Sequence, residues 1–211
     1  MINKCIIFTL TSRLSQLSKI SVLKNCLVVT ALFLCVACSP KLDWRTVQSP
    51  QEGYVALFPG KPDRLERHIQ YQDQDVLQTL EAIKIDSDIY SISALHLNQG
   101  QISLTPQLLS QLKDNLLKQA GADDSGLTTA QSYFQTVDRQ RLPVEDYYLK
   151  FKPKDASPQS IRVRWIVRKN PSKGAWIYQV SVLHQEPLAV NIQEFFSQEA
   201  YANFFEEFHP E

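Results

Sequence analysis

The stretch "IRVRWIVR", Ile161 to Arg168, decides the fold. Ile161, Val163, Trp165 and Val167 take every second position, and Arg162, Arg164, Ile166 and Arg168 fall between them. Successive side chains of a strand point to opposite faces, so this alternation predicts a half-buried β-strand with one apolar and one mostly cationic face. The preceding segment repeats the pattern, with Tyr147, Leu149 and Phe151 alternating against Tyr148, Lys150 and Lys152. If the two segments pair across the Pro153–Ser160 loop, Lys150, Lys152, Arg162, Arg164 and Arg168 share one face. These five form a candidate basic binding face for anionic lipid headgroups, a glycan or an acidic partner. The competing reading is an ordinary solvated face, or one covered by a helix that bears Asp and Glu.

Further strands surround this pair. Gly53–Phe58 is a short apolar run closed by Pro59-Gly60, a strand and its turn. Val76–Ile85 and Ile89–Leu97 flank Asp86-Ser87-Asp88 and predict a hairpin. A last strand, Ala175–Leu183, follows the turn-forming Asn170–Gly174. Two helices are predicted. Thr105-Pro106 supplies an N-cap and a first-turn proline, Leu109, Leu112 and Leu116 form one stripe, and Gly121 stops the helix. Near the end, Tyr201, Phe204, Phe205 and Phe208 fall at helical spacing after a Ser197 cap, an aromatic stripe suited to docking on the sheet. Hairpins with helices between and after them predict an α+β fold, a mostly antiparallel sheet packed against helices in a single domain spanning residues 44–211.

The N-terminal region is of another kind. Residues 1–37 carry Lys4, Arg13, Lys19 and Lys24 and no acidic residue, then the apolar run "CLVVTALFLCVA", Cys26–Ala37. A basic start before a short apolar run is the layout of a secretory signal peptide. The run is 12 residues, against roughly 20 for a membrane-spanning helix, so a durable transmembrane segment is not expected. Cys35-Val36-Ala37-Cys38 resembles a bacterial lipobox. That resemblance implies a type II signal peptide over residues 1–37, cut after Ala37. It also implies an S-diacylglycerol and an N-palmitoyl chain on Cys38, and a short lipidated tether over residues 38–43. Ser39 after the cysteine implies export to the outer membrane, with the domain facing the periplasm. Cleavage by the ordinary peptidase would instead leave Cys38 free.

Composition narrows the function. Four of the 22 basic residues and none of the 22 acidic ones precede Cys38, which leaves the mature chain at −4 and argues against a nucleic-acid partner. Cys5, Cys26 and Cys35 leave with the signal, so no disulfide is expected in the mature chain and stability rests on packing.

"DWRTVQSPQEGYVALFPGKPDR", "WIYQVSVLHQ" and the terminal "YANFFEEFH" together resemble the pattern of small bacterial lipoproteins with a PsbP-like fold. The resemblance implies an α/β/α sandwich and no shared catalytic residue.

The chain holds no nucleotide-binding glycine loop, no H-E-x-x-H zinc motif and no G-x-S-x-G elbow. Asp86-Ser87-Asp88 begins like a calcium loop but lacks the third ligand and the glycine, which favours a hairpin turn. The four histidines, His68, His96, His184 and His209, are scattered, and His96 shares a row with Tyr90, Ile92 and Ala94. No catalytic residue, metal or cofactor is assigned. The expectation is a membrane-anchored envelope lipoprotein, a non-catalytic accessory or binding module with an envelope protein partner. The alternatives are a periplasmic hydrolase with a His/carboxylate site and a carrier of a small apolar ligand.

Overall fold

A computed structural model describes residues 42–120, 127–153 and 157–211. Leu42–Glu211 form one compact unit. The signal segment, Cys38, most of the tether and the predicted Gly121 stop lie outside the described residues.

The strands are β1 (Arg45–Ser49), β2 (Tyr54–Phe58), β3 (Asp63–Tyr71), β4 (Gln74–Ile85) and β5 (Asp88–Leu97), followed by β6 (Leu127–Gln135), β7 (Arg141–Phe151), β8 (Gln159–Asn170), β9 (Gly174–His184) and β10 (His209–Pro210). Helix α1 is Thr105–Ala120, α2 is Ile192–Phe196 and α3 is Glu199–Glu206. Seven strands form one antiparallel sheet in the order β3-β4-β5-β9-β8-β7-β6, and β1-β2-β10 form a second, smaller one. The fold is therefore α+β with mostly antiparallel sheets, as the alternation predicts. No described helix is long and apolar enough to cross a membrane.

Two meanders build the large sheet. The first runs β3-β4-β5. Its opening hairpin turns on Gln72 and Asp73, both at positive φ (48° and 59°), the conformation that a two-residue turn needs to match strand twist. Asp86 and Ser87 make the next turn, as expected from the sequence. The second meander, β6-β7-β8-β9, brings β9 back against β5 with Ser91 opposite Ser181. Gly174 opens β9 at φ +111°, and a Cβ there would sit 2.1 Å from the Leu97 carbonyl, so only glycine lets β9 join β5 at that end.

Both faces of the central strands are covered, which is why β9 is buried over most of its length. On one face α1 lays Leu108, Leu109, Leu112 and Leu116 over Leu95, Ile177, Val163 and Trp165. On the other, β2 and the terminal helices cover Tyr90, Ile92, Tyr178 and Val180. Phe204, Phe205 and Phe208 are each 0% exposed, so the aromatic stripe docks on the sheet as its spacing predicts.

Two predicted caps are corrected. Thr105 is the first residue of its helix and not an N-cap outside it: a 3₁₀ turn over Gln99–Leu104 precedes it, begun by an Asn98 capping box with Gln101. Thr105 is already helical and its hydroxyl donates to the Ile102 carbonyl. Ser197 ends α2, donating to the Glu194 carbonyl, rather than starting α3. Asn191 caps α2, and Gln198 precedes α3 without a side-chain cap bond.

Candidate functional site

The five cations expected to form one basic face do share a parity, since Lys150 lies opposite Ser160, Tyr148 opposite Arg162, and Asp146 opposite Arg164. They do not share an environment. Arg164 is 0% exposed and Arg162 is 7% exposed. Lys150 and Lys152 are exposed, and Arg168 is half-buried at the other end of β8. The expectation of one basic binding face is therefore corrected: helices α2 and α3 lie on its middle, as the competing covered reading has it, but they meet the arginines with main-chain carbonyls rather than Asp or Glu side chains.

The middle is a buried ionic cluster around Asp146. Arg164 donates from Nε and Nη2 to the two Asp146 oxygens at 2.7 and 2.9 Å, and Arg162 Nη2 adds a third bond at 2.7 Å. Each arginine also reaches a helix end. Arg162 Nη1 donates to the Phe196 carbonyl (3.1 Å) and Arg164 Nη1 to the Phe205 carbonyl (2.9 Å). Those carbonyls belong to the last turns of α2 and α3, which lack intrahelical donors and carry partial negative charge. The Arg162 guanidinium lies 4.0 Å from the Phe205 ring centroid, a cation–π contact that faces its unpartnered Nε with an aromatic surface. Burial pushes the Asp146 carboxyl up, but the hydrogen bonds and charges of Arg164 and Arg162 outweigh it and hold the group below the usual carboxylate range. The cations thus cap and dock the terminal helices, and Arg162 and Arg164 are not open to a ligand.

A second polar cluster joins the two sheets. Arg64 on β3 reaches Glu81 (2.9 Å) and Glu52 (3.1 Å), while the Tyr54 hydroxyl donates to Glu81 at 2.7 Å and Thr79 to Glu52 at 2.9 Å. Both carboxylates are buried. Arg64 and Glu81 are neighbours within the large sheet, while Ser49, Glu52 and Tyr54 come from the β1–β2 hairpin, so the cluster bolts the two sheets together.

The histidines separate by environment. His68 is exposed beside Asp75, and His209 contacts the Gln135 carbonyl. His96 is half-buried, as its row predicts, and stacks on Trp176. His68 and His209 pair with the exposed carboxylates Asp75 and Glu207, and His184 is the one whose carboxylate partner is half-buried. Its Nδ1 lies 2.7 Å from Asp88 Oδ1, and Tyr201 donates to the other Asp88 oxygen at 2.9 Å. Ser160 stands opposite His184 on β8. Ser160 is only 3% exposed, however, at the edge of the groove described below, the Phe195 ring lies 4.6 Å from the imidazole, and among the described residues no hydrogen bond joins the serine hydroxyl to His184. Sequence gives no signal for this pair, because Asp88 and His184 meet only through the β5–β9 pairing. Among the described residues no group of three or more His, Cys, Asp or Glu converges as a metal site.

One surface remains open beside the cationic row. Lys150, Phe151, Lys152, Pro158, Pro187 and Leu188 line a groove of about 460 Å³ where the β7–β8 connection meets the chain after β9. Its walls are largely apolar, and among the described residues its two charges are both positive. No protein-family model matches the chain, and no curated protein sequence is significantly similar to it.

Proposed function

We propose that the chain is an envelope lipoprotein, held by acylated Cys38 at the outer membrane, with a PsbP-like periplasmic domain that acts as a non-catalytic accessory or binding module. The observation that carries the binding reading is the groove between Lys150, Lys152 and Leu188. The residue types that would do acid–base chemistry are spent on the fold: Asp146 on two helix-docking arginines, Glu52 and Glu81 on the sheet junction, Asp88 on His184 and Tyr201. The hydrolase alternative has the Asp88–His184 pair in its favour and lacks, among the described residues, a nucleophile hydrogen-bonded to that histidine. The carrier alternative needs room between sheet and helices, and that layer is filled by fully buried Phe58, Phe196, Phe204 and Phe205.

The groove suits an acidic segment of an envelope protein that also presents an apolar side chain. A photo-crosslinking residue replacing Gln159 should capture such a partner in cells, and the same residue at exposed Leu65 on β3 should not. Exposed ion pairs contribute up to about 1 kcal/mol each, so Lys150→Glu with Lys152→Glu should cut capture about tenfold through lost attraction and added repulsion. Capture that ignores both reversals, or none at Gln159, contradicts the groove as the binding surface.

A further inference from the structure

The seven-stranded sheet ends in two edges, β3 and β6, and their sequences differ in kind. β3 carries Asp63, Arg64, Glu66, Arg67 and His68 within its 9 residues. Charged side chains along an edge discourage another strand from adding to it. β6 is also 9 residues long, and its sequence, "LTTAQSYFQ", has no charged residue, no proline and no glycine. Nothing in its composition blocks a further strand.

The main chain of β6 is open on its outer side. A residue in an antiparallel ladder sends its N–H and C=O to one side, and successive residues alternate between sides. Thr136 N–H donates to the Gln140 carbonyl, on the β7 side, whereas the Gln135 carbonyl faces His209 Nδ1 at 3.0 Å, on the outer side. The β6–β7 register runs from Leu127 to Gln135 without a break, so Leu127, Thr129, Gln131 and Tyr133 also face outward. Among the described residues none of their main-chain groups has a partner. A groove of about 470 Å³ lies along this edge, lined by Gln131–Gln135 with Arg141 and Glu206. Tyr133 is 51% exposed there, with the Arg141 guanidinium 4.2 Å from its ring centroid.

We propose that β6 pairs antiparallel with β6 of a second copy of this chain, across a two-fold axis at Ala130. His209 already takes the outward carbonyl of Gln135, so the free run is Leu127 to Tyr133. The register centred on Ala130 sets Leu127 opposite Tyr133, and Thr129 opposite Gln131, of the second copy. Every free outward N–H and C=O then finds a partner, and no other register achieves that. The exposed Tyr133 ring gains a cross-strand contact with Leu127 of the second copy. On the other face small side chains meet, Ala130 beside its own copy and Thr128 beside Ser132. A two-fold axis sets a strand against itself, so a charge near the axis would meet its like. β6 has none, which is why a copy of this chain fits the edge.

Engineered cysteines read the register in the full chain, purified in detergent and mildly oxidised, with wild type as the blank for its own 4 cysteines. Ala130→Cys puts two thiols on the axis at a non-hydrogen-bonded pair, about 4.5 Å between Cα atoms and within disulfide range. Thr128→Cys and Ser132→Cys each lie about 14 Å from their own copies along the strand, which is out of range. A covalent dimer should therefore form in Ala130→Cys and not in the two flanking variants. Gln131→Pro tests the main chain separately. It removes an outward N–H and leaves the bonds to β7 in place, and symmetry makes the loss count twice. Sedimentation should show a concentration-dependent dimer in wild type and association weaker by about tenfold or more in Gln131→Pro. A monomer at every concentration, equal crosslinking at all three positions, or a dimer that Gln131→Pro leaves intact would overturn the pairing. A crosslink from Ala130→Cys to a different protein would overturn the second copy as the occupant.

Discussion

Asp146→Asn should unfold the domain far more readily than its isosteric shape suggests, with a loss of about 3–5 kcal/mol. Three charge-assisted hydrogen bonds from Arg162 and Arg164 end on this carboxylate, and all three side chains are buried. Neutralising it leaves two guanidiniums in the interior facing one amide oxygen and an NH₂ that cannot accept, with the Phe196 and Phe205 carbonyls and Ser132 as their other partners. Urea denaturation gives the loss as a fall in midpoint at constant slope. Replacing the whole cluster with apolar residues, as Asp146→Leu, Arg162→Leu and Arg164→Met together, should recover part of the loss, because no charge is then stranded. A near-neutral Asp146→Asn would show that water reaches the cluster and that the basic row is open after all.

The same carboxylate sets an acid limit. Its folded-state pKa lies below the unfolded value of about 3.9, so its contribution is present above that pH and is lost as pH falls through the folded value. Stability should therefore decline below about pH 4, and the Asp146→Asn variant should show a flatter decline there.

Phe204→Ala is the second large effect, again about 3–5 kcal/mol, from lost transfer energy and the cavity left behind. The ring is 0% exposed and lies 5.3 Å from the Phe58 centroid, 5.3 Å from Tyr90 and 5.6 Å from Phe205. It therefore joins α3 to both sheets at once, and no small shift of one element can fill the space. Thermal unfolding of the purified variant measures the change, and a midpoint within a degree or two of wild type would mean the helix does not dock as described.

The strands that were legible in the sequence are those with an apolar demand. β5, β8 and β9 are central, and their buried residues write a strong pattern. The missed strands are those without one. β3, "DRLERHIQY", is a sheet edge exposed along most of its length, so its residues answer to solvent, not to packing. β6 is the opposite edge, and β1 edges the small sheet. The cationic alternation of β8 states parity and leaves exposure open. Parity is local, but the cover is not: it comes from helices more than 30 residues downstream, whose carbonyls accept from Arg162 and Arg164. Asp146 was hidden for the same reason, since its partners lie across a strand register that sequence does not state. Ser197 misled because two short helices abut there, and a serine that closes one looks like the cap of the next.

The claim that fixes where the protein works rests on Cys38. Each acyl chain contributes about 0.8 kcal/mol per buried CH₂, and stable anchoring takes two such signals, which a diacylglycerol with an amide-linked chain exceeds. The decisive measurement is the intact mass of protein purified from envelopes, alongside palmitate labelling of wild type and Cys38→Ser. The account predicts a chain beginning at Cys38 and carrying the mass of a diacylglycerol and one further acyl chain, with no label and no detergent partitioning in Cys38→Ser. A mature chain with an unmodified Cys38 thiol, or label retained in Cys38→Ser, would contradict it.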